Sequence, residues 1–488
     1  MPKTSPQFKQ AAIPRNPAGM PYVRVAPCGR YFETEDGEPF LVVGHNDAMP
    51  WPGMHNLHYE QDIATTEDYI KDLVAHGVTV MRVMLEYVQD RHWFFERPVG
   101  NYLPEAVLYW DDLIGLCERH GMRLLVLFWD TFFLSRRWKY HPYSRKGTGF
   151  DGQWSMCTSP RGMEHEKARI SFFIDRWGDS PAIFGYDLFN EIHPHWGGTP
   201  EEQHRWVAEM ARFVKSYETE KWGKRHLLTV SVFGAFPEPG YIDLILRHPE
   251  LDFATTHVYQ NDAKDNPADT TSGAITMRDA VRFAYAHMID VRPYMDTESG
   301  PIFGYMHTRQ RPTAEFENEY YHNMTWAHLA TGGAGSGMRW PFRDPHTLSP
   351  GMHDVMLGMS RFIKANPLRW LDFSPRPLDD ALRVVPRDAL GGGNMETQVL
   401  PFGCSDGRQA LVWLLRDTRL AEGRAASGPI DLLLPGMVAG GYIIEFWETY
   451  EGVKVGEARL SLPEADGPVR LPLPDFGRDL AIAVRRGK

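Results

Sequence analysis

One stretch decides the fold: Ile183-Phe184-Gly185-Tyr186-Asp187-Leu188-Phe189-Asn190-Glu191, an apolar run of strand length that ends in Asn-Glu. A carboxylate at the last position of a buried strand is costly to desolvate, unless the strand opens there into a polar cleft. The carboxyl-terminal edge of a parallel barrel is such a cleft. A barrel should then offer a second carboxylate at another strand end, and Glu298 in Tyr294-Met295-Asp296-Thr297-Glu298-Ser299-Gly300 fits that position.

Strand and helix signals alternate on both sides of this stretch. Strands are predicted at 40–44, 78–85, 123–128, 183–191, 227–232, 251–257, 292–296 and 335–340. Helices are predicted at 65–76, 104–120 and 164–177, from Thr199 onward, and at 241–247, 274–289, 313–331 and 353–365. These pairs predict an α/β fold, a closed (β/α)8 TIM barrel, preceded by a hairpin of strands 22–25 and 31–34. A long polar insertion, 138–163, follows the third strand, and a loop of that length in a compact domain more often has a function than not.

The pattern changes past Pro367. Runs punctuated by proline and glycine alternate at 397–400, 410–415, 430–434, 442–447 and 480–484, which is typical of short antiparallel strands. We therefore predict three parts. They are a flexible N-terminus at 1–20, the catalytic barrel with its hairpin at 21–370, and a small antiparallel β-sandwich at 371–488 that acts as a structural buttress.

The bulk composition excludes several classes of protein. Of the 488 residues, 43% are hydrophobic and 24% charged, which is ordinary for a globular protein and excludes disorder of the whole chain. The 63 acidic and 52 basic residues give a net charge of -11 without a basic run, so nucleic acid and anionic membrane are poor candidates as partners. The four cysteines lie far apart, and neither a signal peptide nor an apolar run of about 20 residues is present. A cytoplasmic location is the expectation, and the oligomeric state stays open.

The two glutamates indicate a reaction. Strands four and seven face each other across the mouth of an eight-stranded barrel, so Glu191 and Glu298 should oppose each other. Carboxyl groups about 5 to 5.5 Å apart suit a retaining glycosidase, in which one is the nucleophile and the other acts as acid and then as base. Burial and like-charge repulsion should raise the pKa of the acid member and keep it protonated near neutrality. This chemistry requires no organic cofactor and no metal.

Further motifs make the sequence resemble a clan A glycoside hydrolase, closest to family 5, the cellulase and mannanase family. The motifs are Asn190-Glu191 at strand four, His257-Val258-Tyr259 at strand six and Thr297-Glu298-Ser299-Gly300 at strand seven, together with Arg82 at strand two and Trp340 at strand eight. The likeness covers roughly 39–366. The segment 138–178 also resembles bacterial clan A enzymes that carry a C-terminal β domain.

The resemblance implies catalytic roles. Glu191 would be the acid/base and Glu298 the nucleophile. Tyr259 would orient the nucleophile, and Arg82 would lie beside it. The expected function is therefore that of an O-glycosidase acting by double displacement.

The remaining candidates would bind the sugar substrate. The resemblance implies that Asn190 bonds the 2-hydroxyl and that Trp340 forms the floor of the -1 subsite. Other polar or aromatic residues near strand ends are further candidates, namely His45, Asn46, Trp129, Asp130, Asp187, His193 and His257. Aromatic rings stack on the apolar faces of sugars, so four tryptophans of the loops after strands one, three and four join them: Trp51, Trp138, Trp154 and Trp196.

Several alternatives stay open. The bulky insertion 138–163 could wall off one end of a cleft and favour exo action on short β-glycosides, whereas an open groove would favour an endo-acting β-mannanase or β-glucanase. A function of another class is a non-catalytic carbohydrate-binding barrel. A third hypothesis is a metal-dependent hydrolase with ligands among His45, Asp47, His193 and His195.

Overall fold

A computed structural model describes most of the chain, at 11–87, 93–132, 137–192, 198–259, 269–300, 313–341, 346–387, 397–417, 419, 429–463 and 467–487. Among the helices in these ranges, none is long and apolar enough to cross a bilayer.

Eight parallel strands form the barrel and confirm the predicted fold class. They are β4 (Val42–Asp47), β5 (Val80–Met84), β6 (Arg123–Leu127), β7 (Ile183–Asp187), β8 (Leu227–Thr229), β9 (Ala254–Tyr259), β10 (Tyr294–Gly300) and β11 (Gly335–Arg339), in the order β8-β7-β6-β5-β4-β11-β10-β9. The gap between β8 and β9 is bridged by two hydrogen bonds of 2.9 Å, from the Asp252 N–H to the Leu228 carbonyl and from Thr229 Oγ1 to the Phe253 carbonyl.

Helices surround these strands. They are α1 (Pro52–Tyr59), α2 (Ile63–Ala75), α3 (Pro104–His120), α4 (Pro160–Trp177), α5 (Pro200–Trp222), α6 (Pro239–Ile245), α7 (Thr271–His287), α8 (Ala314–Thr331) and α9 (Pro350–Lys364). Most begin with a proline in the first turn, where the missing N–H costs nothing. The Thr199 cap of α5 forms the predicted reciprocal capping box with Glu202.

Several strand and helix boundaries in the structure differ from those predicted from the sequence. The strand predicted at 40–44 is β4, which begins at Val42 and includes the polar triplet up to Asp47. Pro39–Phe40 instead forms β3, which joins β1 (Val23–Val25) and β2 (Phe32–Thr34) in a separate small sheet. The cap predicted at Thr65 was wrong, because the side chain of Asp62 accepts the Thr65 N–H and α2 starts at Ile63.

A second module follows the barrel and consists of two antiparallel sheets. One has the order β12-β14-β15-β20-β17-β18 and the other β13-β16-β19. The strands are β12 (Arg376–Pro377), β13 (Arg383–Pro386), β14 (Val399–Ser405), β15 (Gln409–Arg416), β16 (Ile430–Leu434), β17 (Gly440–Glu448), β18 (Val453–Leu462), β19 (Val469–Pro472) and β20 (Asp479–Arg486). Alternate side chains of β15 pack in two different hydrophobic cores. Val412 and Leu414 enter the core between the sheets, while Leu411 and Trp413 join the barrel core.

The junction between the modules is polar as well as apolar. Asp479 of β20 is buried and accepts hydrogen bonds from Trp413 Nε1 at 2.8 Å and Thr449 Oγ1 at 2.7 Å. Its Oδ2 also lies 2.7 Å from Nε2 of His322, which is on α8 of the barrel. The His322 ring stacks on Tyr450 with centroids 3.8 Å apart. One carboxylate thus connects a barrel helix to three strand or turn segments of the second module.

A buried ionic network holds the long insertion against the barrel. Glu86 follows β5 and lies 2.9 Å from Nε2 of His141 in the insertion. Arg169 of α4 reaches Glu86 at 3.1 Å and Glu96 at 3.5 Å, and all four side chains are at most 2% exposed. The Arg169 and His141 charges hold the pKa of Glu86 at about 2 against the opposing effect of burial. The insertion is therefore fixed at the edge of the barrel where β5 ends.

Candidate active site

Glu191 lies just beyond β7, at the carboxyl ends of the barrel strands. Its backbone has φ 51°, a left-handed conformation that few non-glycine residues adopt. Two neighbours hold this turn, since the Glu191 N–H donates to Ser231 Oγ at 3.1 Å and its carbonyl accepts from Thr131 Oγ1 at 2.7 Å. The turn leaves the carboxyl group buried, at 1% exposure.

Glu298 of β10 faces Glu191, as expected for strands four and seven. One carboxylate oxygen of each glutamate and a ring nitrogen of His257 all lie within 4.8 Å of one another. His257 is on β9, where it is the register partner of Glu298. The structure therefore brings together the two glutamates and the histidine of strand six.

Both carboxylate oxygens of Glu298 are hydrogen-bonded. Oε2 accepts from Arg82 Nη1 at 2.8 Å, and Oε1 accepts from the Tyr259 hydroxyl. Burial raises the pKa of Glu298, and the Arg82 charge and the Tyr259 hydrogen bond counteract that rise. A carboxylate that receives two such bonds is stabilised in its ionised form.

Glu191 has a different environment. Its Oε1 lies 2.6 Å from Nδ1 of His257, whereas Oε2 is buried without a hydrogen-bond partner. Burial, with the charges of Glu298 and Asp130, raises the pKa of Glu191 well above its ordinary value. Burial and the Arg82 charge hold the pKa of His257 well below its ordinary value. These surroundings favour a proton on Glu191 and the ionised form of Glu298.

Arg82 favours one tautomer of His257. Its Nη2 hydrogens point to Asn190 and Asp187, and the guanidinium charge 3.4 Å from His257 Nε2 favours a lone pair on that nitrogen. In this tautomer Nδ1–H donates to Oε1 of Glu191 at 2.6 Å, so Oε2 is the oxygen left for an acid proton.

The same guanidinium organises the floor of the site. It is 1% exposed and donates to Asn190 Oδ1 at 2.6 Å, Asn46 Oδ1 at 3.1 Å and Asp187 Oδ2 at 3.0 Å. Asn46 in turn donates to the Thr297 carbonyl at 2.9 Å, beside Glu298. Asp187 thus compensates the buried positive charge, which is a structural role.

Asp130 adds a third carboxylate to the site. Its Oδ1 accepts from Asn190 Nδ2 at 2.7 Å, so the amide of Asn190 is oriented from both ends by Arg82 and Asp130. Asp130 is 4% exposed, and its charge raises the pKa of both Glu191 and Glu298.

An aromatic group lies at the end of β11. Trp340 follows that strand and packs on Trp51, with ring centroids 4.4 Å apart. Trp51 is also stacked on His346 at 5.0 Å and nearly parallel. Both tryptophans are at most 5% exposed, so the contact with Trp51 restricts the position of the Trp340 ring.

Several candidates do not join the cluster. His45 and Asp47 of β4 both contact the Tyr69 hydroxyl on α2, because they point to the side of the strand opposite to Asn46. Trp129 packs against Trp206 of α5, between barrel and helices. The insertion tryptophans also differ from each other, since Trp138 stacks on His141 and Trp154 is 62% exposed. His193, His195 and Trp196 lie outside the described residues.

Sequence reasoning missed two supporting residues, Ser231 and Thr131. Ser231 bonds Glu191 through Oγ and donates its N–H to Asp187 Oδ1 at 3.1 Å. For Ser231 the sequence did contain a signal, the alternation Thr229-Val230-Ser231 at the end of the fifth barrel strand, β8. This alternation places the polar side chains of Thr229 and Ser231 on the same, inner side of the barrel.

The cluster of Glu191, His257 and Glu298 has the ligand types and spacing that a metal ion could use. Its hydrogen bonds oppose that use, since both oxygens of Glu298 and both ring nitrogens of His257 already have partners. Of the ligand set suggested for a metal-dependent hydrolase, His45 and Asp47 point away from this cluster.

Known proteins resemble this chain in part. A probable mannan endo-1,4-β-mannosidase F from Aspergillus flavus is 23% identical over 261 residues, 48% of this chain and 54% of that protein, so the chain spans about half the length of that relative. A family 5 glycoside hydrolase from Bacteroides vulgatus aligns over 95% of this chain and 94% of its own, with TM-score 0.58 and 14% identity. An exo-β-1,4-mannosidase from an Opitutaceae bacterium aligns over 70% and 62%, with TM-score 0.52 and 17% identity. No model of a protein family matches the chain.

These similarities confirm the resemblance to clan A glycoside hydrolases of family 5. At 14% and 17% identity the two structures show the fold alone. The Bacteroides vulgatus structure shares the whole arrangement, since the alignment covers the second module as well as the barrel.

Proposed function

We propose that the chain is a retaining β-glycoside hydrolase. One observation carries the proposal: Glu191 and Glu298 approach within 4.8 Å, and their hydrogen bonds differ in the sense that the reaction needs. Retaining enzymes hold the two carboxyl groups about 5 to 5.5 Å apart, whereas inverting enzymes need about 6.5 to 9.5 Å. An approach this close favours direct attack by a carboxylate over attack by a water molecule held between carboxylate and sugar.

The first step forms a covalent glycosyl enzyme. Glu298, ionised and oriented by Arg82 and Tyr259, attacks the anomeric carbon. The bond to the leaving oxygen breaks as Oε2 of Glu191 gives that oxygen its proton. The raised pKa keeps a proton on Glu191 that is available for donation, and the Nδ1–H of His257 stabilises the carboxylate that forms.

The second step reverses the roles. The ionised Glu191 removes a proton from a water molecule, which attacks the anomeric carbon and displaces Glu298. Two inversions give net retention. Arg82, bonded to Glu298 throughout, stabilises the carboxylate as it leaves.

The substrate class that we propose is the β-mannoside. Support comes from the names of the relatives, since the curated ones are mannan endo-1,4-β-mannosidases and one aligned structure is an exo-β-1,4-mannosidase. The orientation of Asn190 fits, because its amide is fixed beside the acid/base where a sugar 2-hydroxyl would lie.

Exo action on short β-mannosides is the finer proposal. The insertion stands at the edge of the barrel where β5 ends and is fixed by Glu86, His141 and Arg169, so it can wall off one end of the cleft. Endo action on mannan is the second candidate, and the names of the curated relatives favour it.

The test is hydrolysis of aryl β-glycosides of the manno, gluco, galacto, xylo and fuco series alongside soluble mannan and β-glucan, with product anomers followed by NMR. We expect release of mannose with initial retention of configuration. Cleavage of mannan to a ladder of oligosaccharides would establish endo action instead. Initial inversion would refute the retaining mechanism. No turnover of any substrate would refute the proposal as a whole and favour a carbohydrate-binding barrel.

Two variants assign the roles. Glu298→Ala should lose at least about 10³-fold in kcat, and added azide should restore turnover of an activated aryl glycoside as a glycosyl azide of inverted configuration. Glu191→Ala should lose about 10² to 10⁴-fold, with the smallest loss on the best leaving group. Wild-type activity of either variant would contradict the assignment.

A further inference from the structure

A second group of metal-type ligands lies outside the proposed active site, between α2 and α9. Asp72 and His76 are at the end of α2, and His353 is in the first turn of α9. One ligand atom from each of the three lies within 4.8 Å of the others. Their side chains are 49%, 26% and 15% exposed, so solvent reaches the group while most of each imidazole is shielded.

The spacing within the group resembles that of ligands around one ion. Asp72 and His76 are four residues apart, which places their side chains on one face of the helix. Asp72 Oδ2 lies 3.0 Å from His353 Nδ1, and a ring nitrogen of His76 lies within 4.8 Å of a ligand atom of each of the other two residues. Ligands about 2.0 to 2.1 Å from a tetrahedral zinc ion are about 3.3 Å from each other.

The tautomer of His76 also fits a ligand. Its Nδ1 lies 2.8 Å from the Asp72 backbone carbonyl, so Nδ1–H donates and the lone pair is on Nε2. Metal-binding histidines nearly always donate their other ring N–H to a carbonyl or carboxylate in this way.

Tight packing fixes the two helices beside the group. A Cβ on Gly77, the residue after His76, would lie 2.3 Å from the Cβ of Ser360 on α9. The helices belong to the first and last strand–helix pairs, whose strands β4 and β11 are neighbours in the barrel. An ion held here would connect two helices that are far apart in sequence.

We propose that Asp72, His76 and His353 bind a divalent transition-metal ion, of which zinc is the best-matched, with water completing its coordination. Two imidazoles and one carboxylate suit zinc, nickel or copper, whereas magnesium and calcium take oxygen ligands. The ion links α2 to α9 and stabilises the closure of the barrel. It takes no part in the proposed hydrolysis.

The test is calorimetric titration of the chelator-treated full chain with zinc. We expect one zinc ion to bind per chain with no competition from excess magnesium, and the midpoint of thermal unfolding to rise with zinc. His353→Ala and Asp72→Asn should each weaken binding at least about tenfold and abolish the rise, while the control His165→Ala on α4 should change neither. Cobalt absorption in the visible range should show the same pattern.

Two results would overturn the proposal. One is the absence of zinc binding by the folded wild-type chain. The other is binding that survives in both His353→Ala and Asp72→Asn but is lost in Glu298→Gln, which would place the ion at the glutamate pair. Circular dichroism of each variant confirms folding, and the two ligand variants lie on different helices, so a folding defect in one leaves the other to decide.

Discussion

Glu191 combines two costly features at one residue. A left-handed backbone at a non-glycine position costs of the order of 1 to 3 kcal/mol, and a buried carboxyl oxygen without a partner adds to that cost. Both are retained because Ser231 and Thr131 hold the turn from two sides. The turn leaves Oε2 of Glu191 unbonded, and the proposed reaction needs a proton donor of this kind.

At this scale Tyr259→Phe tests how Glu298 is kept ionised. The hydroxyl lowers the pKa of Glu298, so its removal should raise that pKa and move the acidic limb of kcat/KM up by about one pH unit. A pH–rate profile on an aryl glycoside measures this, with Tyr140→Phe at the exposed surface as the control. An unchanged acidic limb would contradict the role of Tyr259.

Asp130→Asn tests the basic limb of the same pH–rate profile. The substitution keeps an acceptor for Asn190 Nδ2 and removes a negative charge that raises the pKa of Glu191. That pKa should fall, so Glu191 loses its proton earlier and the basic limb moves to lower pH by roughly half to one unit. A basic limb that stays in place would show that Asp130 does not act on Glu191 electrostatically.

At the scale of elements, hydrophobic periodicity located every barrel strand, while boundaries and side-chain directions depended on tertiary contacts. His45, Asn46 and Asp47 all follow the predicted first strand, yet β4 continues through them and points only Asn46 inward. In the same way, Trp129 contacts Trp206 of α5, whereas Asp130 bonds Asn190 in the site. A prediction that treats such residues as a loop loses the alternation that separates site from helix contacts.

Arg169 tests the network that fixes the insertion. Arg169→Met would leave Glu86 and Glu96 buried without their main cation, so we expect a loss of about 3 to 5 kcal/mol in the free energy of unfolding. Denaturant titration measures it. The control Lys167→Met, on the same helix, breaks surface ion pairs worth at most about 1 kcal/mol. Equal effects of the two substitutions would contradict the network's importance.

Glu166, one turn before Arg169 on α4, should make stability depend on pH. Burial raises its pKa from 4.5 to about 8, so between those values the folded chain keeps a proton that the unfolded chain loses. Stability then falls as pH rises through this window, by about 1.4 kcal/mol per unit of the pKa difference. Glu166→Gln should flatten the dependence between pH 5 and 8. The prediction would be refuted if the unfolding midpoints of the wild-type chain and of Glu166→Gln changed with pH in the same way.

At the scale of the whole molecule, sequence patterns predicted the pairing of Glu191 with Glu298, because barrel geometry alone places strands four and seven opposite each other. The resemblance to family 5 supplied Arg82, His257 and Tyr259, which the structure places at the pair. Contacts that depend on the packed interior, such as Asp130 orienting Asn190, had no signal in one sequence. The domain boundary near 370 stays a prediction.

The junction between the modules can be tested through Asp479. Asp479→Ala would remove the acceptor shared by Trp413 and Thr449 and the partner of His322, so we expect a loss of at least about 3 kcal/mol in the free energy of unfolding. Tryptophan fluorescence during urea unfolding measures the loss. The control Asp380→Ala, whose side chain is fully exposed, should differ from wild type by less than about 0.5 kcal/mol. Equal midpoints for both variants would contradict the coupling.

Helix α8 lies between the barrel and the second module, and most of its residues are buried on every side, from Phe316 to Thr331. A helix at the rim of an isolated barrel would keep a polar stripe toward water. In evolutionary terms, we expect the barrel and the second module to change together. A recombination that replaced the module would leave the apolar side chains of α8 without the surface that covers them, unless α8 changed as well.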